Sequence, residues 1–254
     1  MNRWLLFSLL ILTVFTSQAA LGDLVASDDF QSGTTSGGTG WITGWTSGSN
    51  YNNGQSKIDG TRSLGLFGNT STSRFVTPSI VTTGTTVDIS FSFRADWNVF
   101  SSGQIGVNVL NAAQAPLLTY KFASGSSDLK LNDGGSDFSV SGITFAQSAI
   151  YDFTFTSDIS SNLYSFTVDR RDSSESASGN NYAYTGRTTG SFGGLVLFAN
   201  TPNTSGTDAF FDSISITAVP EPSALLLGGM VCSVLGVRYA RRRLAGAKPH
   251  ADIG

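Results

Sequence analysis

The chain has 254 residues, 13% of them charged, with 29 Gly, one Cys and one His. Residues 23–218 hold 9 Lys and Arg against 16 Asp and Glu, a net charge of −7, so this body lacks the basic footprint that nucleic acid requires. Cys232 and His250 both lie near the C-terminus, which leaves the body without a His-based acid/base pair, a thiol nucleophile, a Cys/His metal site or a disulfide.

At the N-terminus Arg3 precedes an apolar run from Trp4 to Phe15, followed by small residues at Ser17, Ala19 and Ala20. This three-part layout is that of a secretory signal peptide over residues 1–22, a substrate for signal peptidase. The Ser17-x-Ala19 pattern places cleavage after Ala19, with Gly22 a second choice. An uncleaved anchor or a buried strand is the competing reading.

From residue 23 to 218 no helical period is evident. Short alternating or apolar runs recur instead between clusters of Gly, Ser, Asn and Asp. The stretch Gln31 to Gln55 is rich in Gly, Ser, Thr and Asn and reads as surface loop, yet it carries Trp41, Trp45 and Tyr51. Aromatics so placed either cap a core or form a platform for sugar rings. Strands are predicted over Val87 to Trp97, Ile105 to Leu110, Leu117 to Phe122, Tyr151 to Thr156, Leu163 to Val168, Leu195 to Phe198 and Ala209 to Thr217. In Val87-Asp88-Ile89-Ser90-Phe91-Ser92-Phe93 every second residue is apolar, so one face of the strand packs inward. Trp97, ending that strand, reads as core. Eleven or more strands of this kind predict an all-β, two-sheet jelly-roll sandwich.

Candidate sites within the body are few. Asn132, Asp133 and Asp137 sit in Leu131-Asn132-Asp133-Gly134-Gly135-Ser136-Asp137, a set suited to calcium, although a hairpin turn accounts for the segment without metal. No other cofactor is expected. Glycoside hydrolysis needs two carboxylic acids across the cleaved bond. The body holds a single Glu, Glu175, and Asp88, Asp96 and Asp152 on predicted strands read as solvated outward residues. Asn69-Thr70-Ser71 and Asn203-Thr204-Ser205 match the N-glycosylation pattern, as chance allows in so Asn- and Ser-rich a chain.

Asp28-Asp29-Phe30, the Phe211-Asp212-Ser213-Ile214 pattern and the Tyr151 to Val168 hairpin together resemble concanavalin A-like or laminin-G-like domains. The resemblance implies that the first and last strands pair, residues 25–30 beside 209–217.

The C-terminal end is more specific. Val219-Pro220-Glu221-Pro222 leads into an apolar run from Ser223 to Val237, followed by Arg238, Arg241, Arg242 and Arg243. At 1.5 Å per residue a helix over 223–240 reaches about 27 Å, close to the hydrocarbon thickness of a bilayer. Its basic flank keeps the following tail, residues 244–254, on the cytoplasmic side. This order of parts, residues 219–243, resembles the PEP-CTERM sorting signal of Gram-negative bacteria. The resemblance implies recognition of Pro220, Glu221 and Pro222 by an exosortase-type transpeptidase, which removes the membrane handle, with the protein passing from the inner membrane to the cell envelope, surface or extracellular matrix. The expectation is an exported, non-enzymatic matrix or envelope protein whose sandwich adheres to polysaccharide or to neighbouring proteins. The alternative is a secreted polysaccharide hydrolase using Asp residues.

Overall fold

The computed structural model describes residues 22–46, 50–53, 57–77, 85–158, 161–185, 191–202 and 208–220. The signal peptide, Glu221, Pro222, the helix 223–240 and Arg238, Arg241, Arg242 and Arg243 lie outside the described residues, apart from Gly22. Among the described residues no helix is long and apolar enough to cross a membrane. Residues 22–219 form one compact unit.

Every regular element described is a strand, and the strands form two antiparallel sheets. One sheet has eight strands: β1 (Asp23–Asp28), β2 (Asn50–Asn53), β3 (Arg62–Leu66), β5 (Thr85–Ala95), β10 (Ile150–Asp158), β11 (Leu163–Arg170), β12 (Ser176–Ala183) and β14 (Ala209–Pro220). Their order is β12-β11-β10-β5-β14-β3-β2, with β1 also pairing β14. The other sheet has six, in the order β4 (Asn69–Phe75), β13 (Phe192–Asn200), β6 (Gln104–Asn111), β7 (Pro116–Ala123), β8 (Ser126–Asn132) and β9 (Phe138–Thr144). The expected two-sheet sandwich is therefore what the body adopts.

Alternation builds the core. Val87, Ile89, Phe91 and Phe93 on β5 and Tyr151, Phe153 and Phe155 on β10 are all buried, since side chains two apart share a face. Direct cross-strand pairing sets Phe91 against Phe153 and Phe93 against Tyr151, with ring centroids 5.1 and 5.2 Å apart and nearly parallel planes. From the opposite sheet Tyr120 meets Phe153 edge-on at 5.2 Å and Phe122 meets Tyr151 at 5.0 Å. Offset and edge-on contacts of this kind are the arrangements aromatic rings favour. Trp97 is buried, as its position predicts, and its indole N–H donates to the carbonyl of Ser102.

The first and last strands pair as the domain resemblance implies. Asp23 lies opposite Ala218 and Asp28 opposite Ile214. Chain entry and exit thus meet at one pole of the sandwich. β14 is shared along its other edge as well: Ala209 to Phe211 pair β3, and from Ile214 onward β1 takes over. The handover falls at Asp212 and Ser213, where Ser213 adopts a left-handed φ of 53°.

β4, with the sequence Asn-Thr-Ser-Thr-Ser-Arg-Phe, has no apolar alternation and is not among the predicted strands. It is a strand because β13 pairs along one edge while the 41–46 segment occupies the other, through Ile42 N–H to Phe75 O and Thr46 N–H to Ser73 O. Its inward side chains are Thr72 and Arg74, both buried. Arg74 forms an ion pair with Asp28 at the end of β1, the side chains being 3% and 0% exposed. The pair is satisfied on all sides. Arg74 Nε donates to Thr43 O, and Asp28 also accepts from the Trp45 indole N–H at 3.0 Å and the Phe30 amide at 2.9 Å.

Removing one member of a buried ion pair strands the other charge, at a cost of about 3–5 kcal/mol. Asp28→Ala is expected to lower unfolding free energy in urea by that amount. Asp28→Leu combined with Arg74→Met should cost clearly less than Asp28→Ala, because no charge is left buried; an equal or larger loss would show that the charges themselves hold the sheets together.

Candidate functional site

Of the three aromatics of the 31–55 segment, Trp45 belongs to the core. Trp45 is 4% exposed, so its ring cannot serve as a sugar platform; it caps the end of the core beside Phe30, 5.8 Å away. Trp41 is half-buried, donates its indole N–H to Ser27 O at 3.0 Å and packs on Trp45 at 5.6 Å. The Arg74 guanidinium lies 4.9 and 5.7 Å from the two rings. Tyr51 falls on β2, and its side chain is outside the described residues.

Asn132, Asp133 and Asp137 form the β8–β9 hairpin connection, and their oxygens serve different partners. Asp133 turns inward, 6% exposed, and accepts from the Tyr164 and Thr185 hydroxyls. Asp137 binds the Lys121 ammonium at 2.7 Å and accepts from Asn132 Nδ2 at 3.0 Å, and the Lys121 contact holds its carboxyl below the usual carboxylate range. Asn132 Oδ1 accepts from the Gly134 amide. The three side chains thus hydrogen-bond to different partners. No grouping of three His, Cys, Asp or Glu suited to a metal occurs among the described residues.

The outward aspartates are likewise engaged. Asp88 accepts from Thr156, Asp96 pairs with Lys57 and Arg94, and Asp152 accepts from Ser92 and Arg171. Arg171 is also bidentate to Asp59 at 2.8 Å for both contacts, which lowers the Asp59 pKa. Glu175 accepts from the Thr144 amide and hydroxyl, and these bonds lower its pKa.

A cleft of about 430 Å³ opens on the outer face of the six-stranded sheet, and the Asn69-Thr70-Ser71 triplet noted in the sequence lies along it. Val196 and Phe198 of β13 form its apolar part, with Asn69 and Ser71 of β4 on one side and Gln104, Asn108, Thr119 and Lys121 of β6 and β7 on the other. Strand pairing dictates the arrangement. Val196 lies opposite Asn108, which lies opposite Thr119; Phe198 lies opposite Gly106, which lies opposite Lys121. A β-carbon on Gly106 would come within 2.5 Å of the tip of the Phe198 ring. The missing side chain therefore lets Phe198 lie flat across β6 as a floor.

Around that floor stand amides with hydrogen-bonding capacity to spare. Asn108 Oδ1 accepts from the Thr119 hydroxyl at 2.7 Å, which leaves its Nδ2 aimed elsewhere. Among the described residues, neither that Nδ2 nor the side chains of Asn69 and Gln104 have a hydrogen-bond partner. A half-buried ring with convergent amide, hydroxyl and ammonium groups is the composition of a polar ligand site. No carboxylate lines it.

No protein-family model matches the chain. No curated protein matches it either. Likeness to solved structures is one of fold. The CBM2 module of the evolved Dit protein of Lactobacillus casei BL23 phage J-1 superposes with a TM-score of 0.50 at 13% identity, over 79% of this chain and 97% of that one. The botulinum neurotoxin serotype C1 binding domain gives 0.50 at 12% identity, over 77% of this chain and 48% of that one. Arcelin-5, a lectin-like defense protein of Phaseolus vulgaris, gives 0.47 at 11% identity, over 70% and 92%. The body shares the fold of the first two, a two-sheet β-sandwich.

One buried carboxylate in this sandwich has an unusual titration. Asp212, at the handover on β14, is 1% exposed and accepts from the Ser213 and Asp59 amides and the Ser63 hydroxyl. Burial nevertheless dominates and pushes its pKa up to about 6. An acid that binds its proton more tightly when folded adds stability at low pH, and that stability is lost as pH rises from the unfolded value near 4 to the folded value near 6. The span corresponds to about 3 kcal/mol. Below pH 4 the lowered carboxyls of Asp59, Asp137 and Glu175 act in the opposite sense. Thermal unfolding followed across this range should give a melting temperature that climbs from pH 7 towards pH 5, and Asp212→Asn should flatten the climb. A wild-type profile level between pH 7 and pH 5 would count against the assignment.

Proposed function

We propose that this protein is an exported envelope or extracellular-matrix component whose sandwich binds polysaccharide through the cleft on its six-stranded sheet. The observation that carries this reading is the Phe198 floor ringed by Asn69, Gln104 and Asn108. An aromatic face offers apolar contact to the C–H face of a sugar ring, while side-chain amides donate to and accept from its hydroxyls. The sandwich is also the fold of a phage CBM2 module. What supports binding over catalysis is the lining itself: amides, hydroxyls and one ammonium already paired to Asp137 are poor agents of general acid and base work at neutral pH. Asp88, Asp96 and Asp152, the residues an Asp-based hydrolase would draw on, are tied to Thr156, Lys57, Arg94, Ser92 and Arg171.

The same proposal assigns the C-terminal segment its role. Residues 219–243 act as a PEP-CTERM-type sorting signal, in which an exosortase-type enzyme reads Pro220, Glu221 and Pro222 after the N-terminal signal has directed export. Supporting this is the order of the three parts in the sequence, with β14 running in extended form as far as Pro220.

Native electrophoresis of the full-length protein through gels holding soluble neutral or acidic polysaccharides tests the cleft. Retardation by at least one polymer is expected, with affinity reduced about tenfold or more by Phe198→Ala, as for the central aromatic of an interface. Equal retardation of the variant would sink the assignment, and release of new sugar ends by the wild type would overturn the non-enzymatic role. For the tail, cell fractionation should show protein lacking residues 221–243 in the periplasm or medium. Unchanged envelope retention would remove the sorting role.

A further inference from the structure

Two of the large apolar side chains left exposed by the fold, Phe67 and Phe100, are 37% and 50% exposed, and the topology brings both to the same end of the cleft. Phe67 stands two residues before Asn69, at the turn that starts β4. Phe100 stands four residues before Gln104, in the connection that starts β6. Asn69 and Gln104 both line the cleft, and both pair with the same residue, Asn200 at the end of β13. Their strands flank β13 on either side, so Asn69 and Gln104 stand about 10 Å apart across it, each with its phenylalanine-bearing turn just ahead of it in the chain.

Each turn is fixed in place. The Phe67 carbonyl accepts from the Thr70 hydroxyl, and the Gly68 amide donates to the Thr201 hydroxyl at 2.7 Å. The Phe100 carbonyl accepts from the Gly125 amide of the β7–β8 hairpin at 3.0 Å, and Phe100 N–H donates to Asn98 Oδ1 at 3.1 Å.

We infer that the binding track extends from the Phe198 floor over this rim, between Phe67 and Phe100, so that the protein grips the interior of an extended polysaccharide chain rather than a single sugar or a chain end. The inference rests on the cleft being the glycan site. The occupant is a polymer because both rings lie beyond Asn69 and Gln104, the residues that line the cleft at this end, so a ligand that reaches them must run past the cleft itself. A mono- or disaccharide seated over Phe198 would leave both rings uncovered.

The test is a titration of full-length protein with di-, tetra- and octasaccharides of the cello- and oligogalacturonate series. Wild-type affinity should rise about tenfold or more from tetra- to octasaccharide in the series that binds. Combining Phe67→Ala with Phe100→Ala should abolish that rise while leaving disaccharide affinity and the melting temperature unchanged. Phe198→Ala should weaken all lengths alike. Affinity independent of length, or a double variant that still gains from the longer chain, overturns the rim while leaving the cleft intact. Conversion of a dimer to a monomer by the double variant, with glycan affinity unchanged, assigns the rim to a second copy and overturns the inference. No binding at any length, or full binding by Phe198→Ala, overturns cleft and rim together.

Discussion

The buried ion pair between Asp28 and Arg74 is the constraint from which much of this molecule's arrangement follows. Asp28 ends a strand of the eight-stranded sheet and Arg74 lies on the edge strand of the six-stranded one, so the contact crosses the sandwich. Two desolvated charges demand complete hydrogen bonding, and the chain supplies it by folding the 41–46 segment over the edge, with Thr43 O on the guanidinium and the Trp45 indole on the carboxylate. That segment in turn occupies the exposed edge of β4. An open edge would otherwise invite pairing with another chain. The two tryptophans in the loop form the roof of this arrangement, Trp45 buried within it and Trp41 packed on top.

What the ion pair fixes, the cleft uses. β4 has no apolar stripe with which to register itself, and register is weakly specified in polar strands. Its inward Arg74 locks it to Asp28, and the same lock places Asn69 and Ser71 on the outer face opposite Asn200 and Phe198. On the next strand the pattern Gln104-Ile105-Gly106-Val107-Asn108 sends Ile105 and Val107 inward and leaves an amide, a gap and an amide outward. Phe198 fills the gap. A floor and its polar surround thus arise from ordinary strand alternation with one side chain omitted.

Strands with strict alternation, such as Val87 to Phe93 and Tyr151 to Phe155, were legible in the sequence because burial of one face repeats every second residue. So was the pairing of the chain's ends, through the Asp28-Asp29-Phe30 and Phe211-Asp212-Ser213-Ile214 patterns. Their aspartates prove to be structural: Asp28 is half of the cross-sheet pair, and Asp212 binds the amides where β14 passes from β3 to β1. β4 and β12 were not legible, since Asn-Thr-Ser-Thr-Ser and Ser-Ala-Ser-Gly-Asn-Asn carry no apolar alternation and owe their form to neighbours. The cleft left one trace that could have been followed. Leu195-Val196-Leu197-Phe198 is apolar on both faces, and in a sandwich whose sheets face water on one side, an aromatic on the outward face has no packing reason to be there. Trp41, Trp45 and Tyr51 drew attention instead, because Gly- and Ser-rich composition suggests exposure without revealing that a buried charge lies beneath.

The position of the cleft within the body completes the argument. Asn69, Asn200 and Gln104 meet at the pole where β14 begins, since Ala209 pairs Leu66 just ahead of β4. From there β14 rises roughly 35 Å through the sheet to Pro220, beside the residues that follow the proposed signal peptide. Asp23 and Ala218 therefore lie at the pole remote from Asn69 and Gln104. β14 is at once a wall of the core, through Phe211, Ile214 and Ile216, and the strand that ends beside the start of β1. Pairing the first strand to the last is what sets Asp23 and Ala218 at that pole, while the alternation on β13, β6 and β4 builds the cleft at the other.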